Sequence, residues 1–78
     1  MSLYPRLRDT IASTLKVSAD TIGETTAADD VAAWDSLGHV NLVMALEQTF
    51  GVYIEVEDFE NLRSVPAILD YLGRHGQA

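Results

Sequence analysis

Seventy-eight residues, 47% of them hydrophobic, suffice for one domain with a modest core; a chain this short buries only about 60% of its unfolded surface. The absence of cysteine excludes disulfides, thiolate metal sites and a cysteine nucleophile, and apolar runs of only a few residues exclude a membrane span. The net charge of −7 is segregated, with ten acidic residues and no lysine or arginine between Val17 and Leu62, which disfavours nucleic acid and favours basic protein surfaces as partners.

Residues 3–16 read as an amphipathic helix, because Leu3, Leu7, Ile11 and Leu15 recur at a strict spacing of four. Pro5 falls in the first turn, where a missing N–H costs nothing. Residues 17–34 have no sustained period and are rich in turn and cap formers, among them Ser18, Asp20, Thr21, Gly23, Thr25 and Thr26. A connection this long needs apolar pins, for which Ile22, Val31 and Trp34 are the candidates. Asp29 and Asp30 do not match the spacing of a calcium loop, so they read as a solvated acidic stretch.

The next helix is expected over residues 37–50. Asp35 or Ser36 could serve as its N-cap. A helix start also exposes unpartnered N–H groups and partial positive charge, so Ser36 is equally placed to carry a phosphate-linked group. Wound at the helical period, the segment shows two apolar sectors. Leu42, Leu46 and Phe50, with Val43 beside them, form a core stripe, while Leu37, Val40 and Met44 form a second stripe read as a contact surface. Asn41, Glu47 and Gln48 occupy the remainder. His39 projects near the core sector and reads as a boundary residue or the lining of a cavity beside Ser36. Gly38 weakens the helix but leaves its first turn uncluttered for a partner.

Beyond Gly51, the alternation Val52-Tyr53-Ile54-Glu55-Val56 resembles a strand, but no second strand exists to pair with it. Ser64-Val65-Pro66 marks another helix start, with Val65, Ile68, Leu69 and Leu72 on its core face and Gly73 as its stop. Residues 75–78 are expected to fray.

Asp35-Ser36-Leu37, followed by Val40, Leu42-Val43, Ala45-Leu46-Glu47 and Phe50-Gly51, resembles the acyl carrier proteins. The resemblance extends over nearly the whole chain and implies one domain over residues 1–78. The implied fold is all-α: a small four-helix bundle of three longer helices and one short one, with a long loop between the first two. It turns the strand-like stretch into an extended connection leading to the short helix, at about residues 57–61. It also implies that a transferase attaches 4′-phosphopantetheine from coenzyme A to Ser36, with Asp35, Leu37, Val40, Met44 and Glu47 as partner contacts. Acyl- or aminoacyl-activating ligases and downstream synthases or transferases are the other implied partners. A monomer is expected, without membrane insertion or a metal. No signal segment is apparent, which suggests a cytoplasmic protein.

The chain departs from the fatty-acid-synthesis carriers, whose second helix is more heavily acidic. Here Gly38, Asn41 and Gln48 are neutral where carboxylates would be expected, and Glu47 is the helix's one acid. The Gly38-His39 pair is more similar to stand-alone carriers of specialised pathways. Two other readings compete. One is a hydrolytic triad of Asp35, Ser36 and His39, disfavoured because neighbours on one helical turn cannot readily wrap around the imidazole. The other is an unmodified acidic helical module that binds a basic partner through Leu37, Val40 and Met44.

Overall fold

Three apolar stripes at helical spacing and a long pinned loop converge on one core. The computed structural model describes residues 3–75 and contains α1 (Tyr4–Leu15), α2 (Ser36–Phe50), α3 (Val56–Phe59) and α4 (Val65–Arg74). Single 3₁₀ turns at Ala19–Thr21 and Ala28–Asp30 punctuate the loop between α1 and α2. Leu7, Ile11 and Leu15 of α1 pack with Leu42, Val43, Leu46 and Phe50 of α2 and with Val65, Ile68, Tyr71 and Leu72 of α4. No described helix is long and apolar enough to cross a membrane.

Helices α1 and α2 run antiparallel, as the contacts at their two ends require. At one end the Arg6 guanidinium donates to the Thr49 carbonyl (2.9 Å) and lies 4.8 Å from the centre of the Phe50 ring. It thereby satisfies one carbonyl of the α2 C-terminus, where the helix dipole also favours a cation. At the other end the Leu15 side chain meets the backbone of Gly38. α1 itself ends on Lys16, held in the left-handed region at φ 59° while the Val17 N–H reaches back to the Ala12 carbonyl (3.0 Å). That arrangement ordinarily recruits glycine.

The long loop is fastened to the bundle in two ways. Ile22, Val31 and Trp34 are all buried as expected, and Ala28 joins them. The loop's backbone is satisfied by an antiparallel bridge between Ala27 and Ser64, in which the Ala28 N–H donates to the Arg63 carbonyl and the Val65 N–H to the Thr26 carbonyl, both at 2.8 Å. This bridge answers the demand that a buried connection pair its polar groups. Asp30 is used locally, its carboxylate accepting from the Ala27 N–H (3.0 Å).

Two expectations shift at the C-terminal end. Gly73 lies inside α4, which continues to Arg74 and is capped by His75. His75 stacks on Tyr71 with ring centres 4.0 Å apart, so it is held by the helix; the remaining residues of the expected frayed tail lie outside the described ones. α3 begins at Val56, one residue before the expected start, and Val52–Ile54 pair with no strand among the described residues.

Candidate functional site

The start of α2 resolves which residue caps the helix. Asp35, in extended backbone geometry, accepts the Gly38 N–H on its carboxylate at 2.8 Å. Ser36 is therefore the first helical residue, exposed, and its hydroxyl has no hydrogen-bond partner among the described residues. A cap by Ser36 would have consumed that oxygen. With Asp35 in the role, the serine hydroxyl stays free beside N–H groups that a helix start leaves without intrahelical partners.

Gly38 has a different purpose from the one its sequence position suggests. A side chain there would collide with the carbonyl oxygen of Ala33 and come within 3.0 Å of Leu15 Cδ2 and 3.3 Å of the Asp35 cap. The loop passes so close to the first turn that only glycine fits. The expectation that Gly38 is an open position able to hold a carboxylate is thus overturned by contact.

His39 is also displaced from its expected role. It is fully buried, not at a boundary, and both ring nitrogens are committed. The Trp34 indole N–H donates to Nδ1 (3.0 Å), and Nε2 lies 2.8 Å from the Phe59 carbonyl oxygen. An indole can only donate and a carbonyl only accept, so the pair calls for the tautomer with hydrogen on Nε2. The Phe59 ring packs edge-on against the imidazole at 4.7 Å. Ser36 has no access to this histidine and Asp35 is engaged with Gly38, so the three residues do not assemble a hydrolytic triad.

The two apolar stripes of α2 separate as expected. Leu42, Val43, Leu46 and Phe50 are buried, whereas Leu37, Val40 and Met44 are among the exposed large hydrophobics. Two further members of that class are Tyr53 (75% exposed) and Val56 (87% exposed) on the segment leading into α3. Sequence reading passed over both, because the strand-like alternation placed them without a face. Glu47 is less free than a surface acid: its carboxylate accepts the Ile54 N–H at 2.9 Å. Asn41 and Gln48 are exposed.

Polar side chains from α2 and α4 fix the segment carrying α3. Glu47 holds Ile54, His39 holds the Phe59 carbonyl, and the Tyr71 hydroxyl donates to the Tyr53 carbonyl (3.3 Å). Between the buried anchors Ile54 and Leu62 no side chain is fully buried. Burial first, and the neighbouring Asp58 carboxylate second, hold the Tyr71 phenol above its ordinary pKa.

Comparison with known proteins adds to this geometry. A family model described as a phosphopantetheine attachment site matches residues 5–72. The acyl carrier protein of Bdellovibrio bacteriovorus is 39% identical over 79 residues, spanning all of both chains. That of Syntrophobacter fumaroxidans is 45% identical over 78 residues, covering 99% of this chain and 95% of its own. In fold, the chain is similar to the solution structure of the holo acyl carrier protein from Geobacter metallireducens. That match has a TM-score of 0.83 at 24% identity and covers 96% of this chain and 86% of the other. The structural match shows the fold, while the family model and the two relatives define a non-catalytic carrier whose prosthetic group is 4′-phosphopantetheine. The chain belongs to the acyl carrier protein family.

Proposed function

We propose that Ser36 carries the phosphopantetheine arm, and that the protein presents an acyl or aminoacyl thioester on it to enzymes of a specialised pathway. The observation that supports Ser36 is its exposed, unpartnered hydroxyl, spared because Asp35 caps α2 in its place. The helix start fits the group's phosphodiester, worth roughly 0.3–1 kcal/mol at an exposed site. In the transfer, the Ser36 oxygen forms a bond to the phosphorus that carries pantetheine in coenzyme A. The bond from that phosphorus to the adenosine bisphosphate half breaks, and the hydroxyl proton passes to a base of the transferase or to solvent.

The pathway reading rests on charge. Asn41 and Gln48 are neutral at exposed positions and Glu47 is tied to Ile54, so α2 offers a basic partner few free carboxylates. Apolar contact through Leu37, Val40 and Met44 then supplies a larger share of recognition, and a dedicated ATP-dependent ligase loads the arm better than fatty-acid-synthesis enzymes do. The remaining partners are a phosphopantetheinyl transferase and a downstream synthase or transferase. The protein works as a single monomeric domain over residues 1–78, in the cytoplasm.

The test is intact mass after incubation with coenzyme A and a broad-specificity transferase. One phosphopantetheine should be added to the wild type and none to Ser36→Ala. Addition to the alanine variant would move the site to another hydroxyl. Unchanged wild-type mass in folded protein would leave an unmodified acidic interaction module. Loading by fatty-acid enzymes should be slow and should improve when Asn41 and Gln48 become glutamate; no improvement would refute the pathway reading.

A further inference from the structure

His39 stands three residues beyond Ser36, fully buried, with one nitrogen on the loop and the other on α3. Trp34 and His39 bracket the serine, so their bond fixes the 34–39 turn internally. The Nε2 bond to the Phe59 carbonyl does something else, because it reaches across to another element. Glu47 holds Ile54 and His39 holds Phe59, so the chain from 54 to 59 runs back along α2 toward Ser36. Val56 therefore falls beside the stretch of α2 that carries Met44 and Val40. Leu37, Val40, Met44, Tyr53 and Val56 are all exposed large hydrophobics, and Glu55 and Glu57, on either side of Val56, are exposed too. These groups fit a partner that offers both apolar and basic contacts.

Besides the Nε2 bond, α3 is held by the half-buried Phe59 ring, by Asp58 beside the Tyr71 phenol, and by the buried Ile54 and Leu62 on either side of it. None of its residues is fully buried and it is four residues long, too short to persist by propensity alone. We infer that His39 is a positioning residue for the modification of Ser36: its Nε2–H, bonded to the Phe59 carbonyl, sets α3 against α2 so that the transferase meets both helices as one surface. The inference rests on the reading of Ser36 as the attachment point. A transferase gripping a surface that is assembled only part of the time pays for its assembly in apparent affinity, while the chemistry at an exposed hydroxyl is unchanged.

The two nitrogens can be separated experimentally. Asparagine places an acceptor near Nδ1 and nothing near Nε2, so His39→Asn keeps the Trp34 bond and loses the clasp on α3. Glutamine places an amide N–H near Nε2, so His39→Gln keeps the clasp and loses the Trp34 bond. Transferase kinetics should show KM for His39→Asn raised about fivefold or more with kcat within about twofold, and His39→Gln close to wild type in KM. Amide exchange should accelerate across residues 56–62 in His39→Asn only, with α1 and α4 unaffected. Equal KM for wild type and His39→Asn, or a glutamine variant as impaired as the asparagine one, would overturn the inference. Should neither variant fold, the wild type still decides. Its imidazole nitrogen shifts must report hydrogen on Nε2, slow to exchange; hydrogen on Nδ1 would mean that no clasp exists. Wild-type protein that the transferase leaves unmodified would count against Ser36 itself, and the exchange measurements would still judge the clasp.

Discussion

Replacing Gly38 by alanine sets helix propensity against contact, and the structure decides the sign. In an exposed helix interior the change would gain about 0.8–1.0 kcal/mol, less at the third residue of α2 where the helix is just beginning. Against this, the new Cβ collides with the Ala33 carbonyl, which belongs to a backbone pinned by the buried Val31 and Trp34. Leu15 Cδ2, at 3.0 Å, can yield by rotation; a main-chain oxygen cannot. Overpacking of this kind costs about 1–3 kcal/mol, and displacing the Asp35 cap about 1 kcal/mol more. The net expectation is destabilisation by about 1–3 kcal/mol, or a melting temperature lower by roughly 4–24 °C for a domain this small. Gly73→Ala is the internal control, since a Cβ there meets nothing within 4 Å; it should be neutral or stabilising by up to about 1 kcal/mol. Urea unfolding followed by helical circular dichroism measures both. A Gly38→Ala protein as stable as the wild type would refute the argument, since it would mean that the loop passes the first turn at a greater distance.

On α2, Leu46→Ala should cost about 2–5 kcal/mol as a core truncation, while Met44→Ala should cost under about 1 kcal/mol and weaken transferase recognition instead; the reverse ranking in denaturant would exchange the two stripes. Lys16→Gly relieves a left-handed residue, a gain of about 1–2 kcal/mol that added unfolded-state freedom offsets in part, so a net stabilisation of about 0.5–1 kcal/mol is expected in thermal melts. The raised Tyr71 pKa means that the folded protein keeps the phenolic proton longer than the unfolded chain does. Its stabilisation is complete below the ordinary value of 10.0 and is lost as pH rises through the folded value. Urea midpoints measured from about pH 9 to 11 should therefore fall more steeply for wild type than for Tyr71→Phe, and parallel curves would contradict the shift.

What could be read from the sequence was what is local. The spacing of Leu7, Ile11 and Leu15 placed α1, and the split between Leu42, Leu46 and Phe50 on one side and Val40 and Met44 on the other reappears as burial against exposure. Ile22, Val31 and Trp34 were legible as pins because an aperiodic polar stretch offers few other reasons for large apolar side chains. The residues misread were those whose environment arrives from far along the chain. His39 could be buried only because Trp34 and the Phe59 carbonyl satisfy its nitrogens, and no local pattern announces a carbonyl twenty residues away. Gly38 seemed open because the carbonyl it accommodates belongs to a loop whose path the sequence does not trace. Glu47, expected as a partner contact, also accepts the Ile54 N–H from seven residues on, which no local pattern signals. At the proposed attachment site, the motif pointed to Ser36 but left its hydroxyl competing with Asp35 for the cap, a choice that backbone geometry makes.

Trp34 is the chain's one tryptophan, and its indole sits where the loop, the first turn of α2 and α3 meet, two residues from Ser36. The protein therefore carries its own optical reporter at the junction where modification, loading and partner engagement would be felt. Emission from a buried indole hydrogen-bonded to an imidazole differs from that of one released to water, in wavelength and in quenching by added solute. If Ser36 carries the arm as proposed, its attachment can be monitored in unlabelled protein through this indole, without a fluorophore on the arm to alter the cargo.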